Sequence, residues 1–508
     1  MRVSPASLKP ALRQLAVMTA WAVAAGQAGH AASDPVRAYF GIQIVDAATG
    51  RGVPLAELET VNHLRFVTDS AGWVAFHEPG LMGRPVFFHL RSHGYTLAKD
   101  GFGYSGRALT PTAGGRATLQ LTRQNIAERL YRVTGEGIYR DSVLLGEPVP
   151  LAEPLGAGRV AGQDSVLGTL YRGRLYWFWG DTLGMKYPLG HFRTAGATSD
   201  LPNAGGLDPA SGINLHYWVD ADGFSRPVAS LGVTNGLIWL DGVLAVKDEA
   251  GKERLVAHYA HLESLGKPLD HGLAVFNDER QEFERWLALP ADETWRFPHG
   301  QPVRFEEDGV EYLGFGDSFL NVRVPANWRA IADPARYEAW SRRAANPPPP
   351  PTWTRDGPPL DPAGERKLLD RALAIPGEAW FLPVAAGGTN AIVMHRGSVR
   401  WNAWRQRWVL IATQEGGTSL LGEVWYAEAR VPTGPWRHAC KIVTHDRYTF
   451  YNPVHHAFFD QADGRFLFFE GTYANTFSGN PDATPRYDYN QVMYRLDLGD
   501  ARLQPVHE

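Results

Sequence analysis

From Tyr139 onward the chain repeats one hydrophobic pattern. A short apolar run is followed by a polar turn rich in Gly or Arg, a second apolar run, and a cluster of polar residues. "GQDSVLGTLYRGRLYWFWGDT", residues 162–182, is the first copy. Further copies occupy 242–263, 301–318, 398–417 and 455–473, with turns near 173, 250, 308, 404 and 463. Short apolar runs bounded by turn residues predict strands, and two such runs around a short turn predict a hairpin. Between the copies lie more strand candidates, among them "GLAVFNDERQEFERWLAL", "GEVWYAEARVPTGPWRHACKIV" and "YNQVMYRLDL". A hairpin recurring five times, each followed by one or two strands, predicts a five-bladed β-propeller over 139–500. The widest gap, 330–375, reads as an insertion: a proline-rich stretch between two short helices. A pair of β-sandwiches accounts less well for the repeated hairpin.

The preceding segment has a different rhythm. Between 36 and 125, turn signals every 8–12 residues separate short alternating runs, which predicts a small β-sandwich. The words "VDAATGRGVPLAELET", "TDSAGWVAFHEP" and "VFFHLRSHGY" resemble the transthyretin-like, carboxypeptidase-regulatory-type module of secreted proteins. That resemblance implies a structural or substrate-presenting accessory domain without catalysis. The expected fold class is therefore all-β, an N-terminal β-sandwich followed by a five-bladed β-propeller. Residues 1–32 differ again: Arg2, Lys9 and Arg13 precede the apolar run "LAVMTAWAVAAGQAG", and "GHAAS" supplies small residues. This is the layout of a cleaved signal peptide and predicts a secreted or periplasmic protein. No later run is long and apolar enough for a membrane span.

Composition narrows the function. The 508 residues are 44% hydrophobic and 20% charged, with a net charge of −4, which argues against disorder and against nucleic-acid binding. One cysteine, Cys440, leaves no intramolecular disulfide, and its strand-like setting predicts an inert thiol. The 17 tryptophans suit carbohydrate binding, although most aromatics in such a chain pack between sheets. The expected partner is a carbohydrate, bound by a monomer.

In a propeller, the start of each inner strand and the end of the next lie on one face. Collecting those positions gives Asp164 and Asp181, His258 and His261, His299 and Asp317, Glu415 and Glu423, then Asn452, His455, His456 and Glu470. The opposite face collects ordinary turn residues such as Gly173, Gly251, Gly309 and Gly464. One rim rich in carboxylates and imidazoles points to acid–base chemistry on a sugar. Asp164, Asp181, Glu423 and Glu470 are the catalytic candidates. His299, Asp317, Trp401, Asn452, His455, His456, Tyr473 and Arg486 are the substrate-binding candidates, with Trp177, Tyr187 and Trp218 as further rings. Each has a plainer reading. Asp181 and Asp317 fit turn caps, Glu470 a buried ion pair, and Glu423 a solvated strand face. Adjacent His455 and His456 point to opposite faces of a strand, so at most one reaches the funnel. The histidines have no metal-ligand spacing, no cofactor is implied, and an axial calcium ion has no support in the sequence.

The 162–182 stretch also resembles the opening blade of five-bladed propeller glycosidases. It is most similar to the domain-of-unknown-function 4185 group, which includes endo-arabinan hydrolases, and more distantly to glycoside hydrolase family 43. The resemblance implies cleavage of a polysaccharide or oligosaccharide with furanose, arabinan-type units, and a base role for Asp164. No glutamate precedes a later inner strand to serve as the usual acid; His299 and His455 hold comparable places. Two alternatives stay open. A polysaccharide lyase would use Tyr451, His455 or His456 for β-elimination, with Arg486 neutralising a uronate. A non-catalytic carbohydrate-binding propeller would keep the aromatics without needing several acids.

Overall fold

The computed structural model describes residues 38–343, 349–371 and 379–507. The expected signal peptide lies outside the described residues. What is described is all-β, as its sequence predicts.

The first unit holds two four-stranded sheets. One pairs Phe40–Asp46 with Trp73–Phe76 and, in parallel, with Arg116–Arg123. The other pairs Glu57–Thr60 with Arg65–Val67 and Val86–Arg91. Alternation along Val86–Arg91 turns Val86, Phe88 and Leu90 inward, where they meet Ile42, Ile44 and Phe76 of the facing sheet in one core.

Five sheets of four or five strands follow in chain order, antiparallel except where Val384–Ala385 joins the edge of the fourth in parallel. Their first strands are Leu167–Tyr171, Leu237–Lys247, Val303–Glu307, Met394–Asn402 and Thr449–His455. Each pairs with the next strand of the chain. Four of the expected hairpins form in place. The fifth starts earlier, at Thr449, and a 3-10 turn at Ala457–Phe459 stands where its first strand was expected. Two of the turns explain themselves: Arg172-Gly173 and Asp308-Gly309 both take positive φ at two successive residues, the tight-turn geometry that matches strand twist. Middle strands are buried almost throughout, as in Phe466–Ala474 and Glu423–Ala429, and read as continuous apolar runs because both faces are covered.

Two features depart from the sequence reading. The fifth sheet takes its fourth strand, Glu128–Arg132, from the chain ahead of the first sheet. That strand is buried at every position, and Arg129 donates to the Pro54 carbonyl at 3.0 Å, so the closing strand also anchors the N-terminal unit. The sequence reading ended one domain near 125 and began the next at 139, and this strand falls between them. The 330–375 insertion is also more than two helices around a proline-rich stretch. Glu338–Ser341 and Thr352–Thr354 add a fourth and fifth strand to the third sheet, and a helix spans Pro362–Asp370 with Asp361 as its N-cap. Among the described residues no helix is long and apolar enough to cross a membrane.

Candidate active site

The first strands of the five sheets meet around one cavity of about 340 Å3. Its wall takes Asp164 and Leu167 from the first sheet, Asp241 from the second, Gly300 and Asp317 from the third, Arg396 from the fourth and Asn452 from the fifth. The same end of every sheet therefore faces the cavity, and the first four supply its ionisable groups.

Asp164 lies between strand Val160–Gln163 and strand Leu167–Tyr171, and Asp181 just after Arg174–Trp179. The two are locked together through the backbone. The Asp181 N–H donates to Asp164 Oδ1 at 3.0 Å, and the Gly180 N–H donates to the Asp164 carbonyl at 2.9 Å. A Cβ at Gly180 would stand 2.4 Å from Asp164 Oδ1, so only glycine allows this approach. The Tyr451 hydroxyl donates to Asp164 Oδ2 at 3.1 Å, and the Tyr489 hydroxyl also bonds the carboxylate. Burial pushes the Asp164 carboxyl up to about 6, and the Asp181 charge adds to the rise. Asp181 is raised too, by burial, against one hydrogen bond from the Trp239 indole N–H at 2.8 Å.

The second centre is an acidic pair around a guanidinium. Arg396 sits 3.2 Å from Asp317 and 3.7 Å from Asp241. Asp241 Oδ1 also accepts the backbone N–H groups of Gly242 and Gly300, at 2.9 and 3.0 Å. Burial raises the Asp241 carboxyl, with Arg396 opposing and Asp317 adding. Gly300 has φ of 63°, and a Cβ there would meet the Gly316 carbonyl at 2.0 Å, so the donor that holds Asp241 must be a glycine. His258 pairs across the sheet with Asp241 and lies flat on Phe297, ring centroids 4.0 Å apart. Burial drives its imidazole down to about 3, helped by His271 and His299, so it is neutral at any working pH.

Of the residues singled out in the sequence, Asp164, His258, Asp317 and Asn452 line the cavity, and Asp181 joins them through Asp164 and Trp239. Asn452 donates to Ser165 Oγ at 2.8 Å and leaves its own Oδ1 without a partner. His299 is held by the Phe297 carbonyl at 3.0 Å; its neighbour Gly300, not its ring, forms the wall.

The other expected site residues do not line the cavity. Glu423 is buried on the third strand of its sheet, bonded to Lys441 at 3.0 Å and to the Thr418 hydroxyl at 2.6 Å. Glu470 is fully buried against His456 at 2.8 Å, the ion pair that its apolar surroundings allowed for. His455 is likewise buried, 2.8 Å from Asp460. Neither adjacent histidine reaches the cavity, because each is committed to its own carboxylate. Trp401 lies at the far end of its strand, packed edge-on to Trp408. Tyr473 is buried in a stack with Tyr448, and Arg486 pairs with Asp141 at 2.8 Å. Trp177 and Trp218 are core residues, and Tyr187 is exposed. Burial keeps the half-buried Cys440 thiol protonated.

Sequence reasoning missed Asp241, Arg396 and Trp239. The second inner strand begins at Leu237 and bulges between Asp241 and Leu244. A copy read as starting at Gly242 stops one residue short of the acid. The phrase "WLDGVLAVK", with Asp ahead of an apolar run as in "GQDSVLGTL", is the signal that would have found it. Among the described residues, no group of three or more His, Cys, Asp or Glu is placed to hold a metal ion.

No protein-family profile and no curated protein matches the chain. Among solved structures it is similar to the exo-beta-1,3-galactanase of Phanerochaete chrysosporium, at 11% identity and a TM-score of 0.36, over 74% of this chain and 65% of that one. This chain thus spans just under two-thirds of that enzyme's length. It is also similar to a putative exo-beta-1,3-galactanase of Bifidobacterium bifidum, at 11% identity over 73% of this chain and 94% of that one, TM-score 0.38. A third is an exo-1,5-alpha-L-arabinanase from a bovine ruminal metagenomic library, at 11% identity over 66% and 93%, TM-score 0.34. Scores this low do not establish a shared fold.

Proposed function

We propose that the chain is an exported glycoside hydrolase, a β-sandwich followed by a five-bladed β-propeller, acting on a neutral polysaccharide or oligosaccharide. One observation carries the reading: the cavity ringed by five inner strands brings Asp164, Asp241 and Asp317 together from three successive sheets. Glycoside hydrolysis needs one carboxyl group that holds a proton and another that is ionised. Asp164 is assigned as base or nucleophile. Its two oxygens accept from the Asp181 N–H and the Tyr451 hydroxyl, which orients an ionised carboxylate toward the cavity. Asp181 is assigned as the acid, since burial favours its protonated form. Asp241, held by two N–H groups and Arg396, supplies fixed negative charge for the cationic sugar that develops in the transition state.

The lyase reading lacks its parts. Elimination needs a free His or Tyr and a cation for a uronate. His455, His456 and Arg486 are each bound to a carboxylate, Tyr451 donates to Asp164, and Arg396 lies between two aspartates. The test is product analysis on a panel of neutral and uronate-containing polysaccharides. The hydrolase reading expects new reducing ends without the ultraviolet absorbance of an unsaturated uronate. Appearance of that absorbance would overturn it, and binding without turnover would favour a carbohydrate-binding propeller.

A further inference from the structure

A second cleft, of about 510 Å3, opens where the N-terminal unit meets the segments that flank the fifth sheet. One wall is Arg65, Arg91 and Thr96; the other is Arg447, Asn480 and Asp482. Neither unit forms it alone. The walls face each other across the cleft: Arg65 donates to Glu57 at 3.0 Å, and the Asp482 charge on the opposite wall adds to the rise of the Arg65 pKa. Tyr448 and Tyr473 contribute a stacked pair 4.2 Å apart, and the His93 ring bonds the Tyr473 hydroxyl at 2.9 Å.

The chemistry of this lining is specific. Three arginines, Arg65, Arg91 and Arg447, are matched by three carboxylates, Glu57, Asp446 and Asp482. Nucleic acid binding needs a positive excess, and the core of a protein–protein interface is depleted of charge. Balanced charge, carboxamides and hydroxyls, with donors and acceptors on both walls, suits a neutral polyhydroxylated chain. The cleft is also tied to the cavity. The Tyr448 hydroxyl donates to Asp488 Oδ1 at 3.0 Å, and the next residue, Tyr489, bonds Asp164.

We propose that this cleft is an accessory glycan-binding site in which the N-terminal unit and the fifth sheet together hold a neutral glycan strand, the continuation of the chain cut at Asp164. The proposal rests on the hydrolase reading for the identity of that chain, but not for the binding itself. The N-terminal unit then takes part in substrate capture, with long substrates held by both units and short ones by the cavity alone.

The test uses the full chain and two variants of exposed cleft residues, Arg91→Ala and Asp482→Ala, with the double variant. Two readouts are taken: turnover of a neutral polymer against a short oligosaccharide of the same sugar, and retardation in native gels cast with soluble arabinan, galactan or xylan. In the double variant, kcat/KM on polymer should fall about tenfold, the scale of losing one or two polar contacts, while the short substrate and the melting temperature are unchanged. Retardation should weaken in parallel. Equal rates on polymer and short substrate in wild type and variant, with retardation intact, would overturn the proposal. If no glycan is turned over at all, the hydrolase reading fails while retardation by neutral polysaccharide, lost in the double variant, still supports the cleft. Retardation by polyanions alone, or by none of the gels, would overturn it.

Discussion

At the scale of single residues, the proposed chemistry rests on two aspartates that flank one hairpin. Asp164 has its folded pKa raised to about 6 by burial and by Asp181, so as a base it works in its ionised form, present above that pH. The acidic limb of the kcat/KM profile should therefore rise through about pH 6. Asp181→Asn removes the assigned acid, so kcat/KM of the folded variant should fall by roughly 10²- to 10⁴-fold. A folded variant at the full rate would remove Asp181 from the acid role. Glu423 and Glu470 belong to a different kind of prediction. Both are buried and bonded on middle strands, so Glu470→Gln, which disturbs the buried hydrogen bond to His456, should cost about 1–3 kcal/mol in urea unfolding and leave turnover per folded molecule intact. A folded Glu423→Gln protein without turnover would return that residue to the acid role. The sequence made Asp164 legible because Asp before an apolar run is poor turn filler. It hid Asp241, because a bulge let the second inner strand begin before the point where its apolar run becomes obvious.

At the scale of elements, what could be read was local. Where a strand, a tight Gly-containing turn and a second strand follow directly on one another they fix each other's register, as in the first three hairpins. What could not be read was pairing at a distance. Glu128–Arg132 gives no sign in its own residues that it will join Asn490–Asp497, a partner more than 350 positions away. Nor does the proline-rich insertion announce that Glu338–Ser341 and Thr352–Thr354 will extend a sheet. The closing strand carries a stability prediction. Leu130 is fully buried in a core it shares with Leu175, Phe468 and Met493, so Leu130→Ala should destabilise the protein by about 2–5 kcal/mol, measured by denaturant unfolding. A cost near zero would mean that this strand does not hold the fifth sheet closed.

At the scale of the whole molecule, five sheets each bring the same end of a first strand to one cavity, and that convergence turns scattered acids into a site. The rim was legible as a tendency, because the acids and histidines cluster at one end of the repeated unit. Which of them face inward was not, since burial on middle strands and on the axis looks alike in a sequence of continuous apolar runs. His455, His456, Glu423 and Glu470 all fell to that ambiguity. The N-terminal unit reads as an accessory from its sequence; in the structure it is bolted to the fifth sheet and its connecting loop through Arg129 on the Pro54 carbonyl and the Tyr487 hydroxyl on the Thr68 carbonyl.

The most direct measurement is kcat/KM for reducing-end release from a neutral glycan by Asp164→Asn against the unaltered protein, with folding checked by circular dichroism. Removing an acid–base group of this kind should lower the rate by roughly 10²- to 10⁴-fold without unfolding the protein. A folded Asp164→Asn protein that cleaves at the full rate would contradict the assignment of the cavity as the hydrolytic centre.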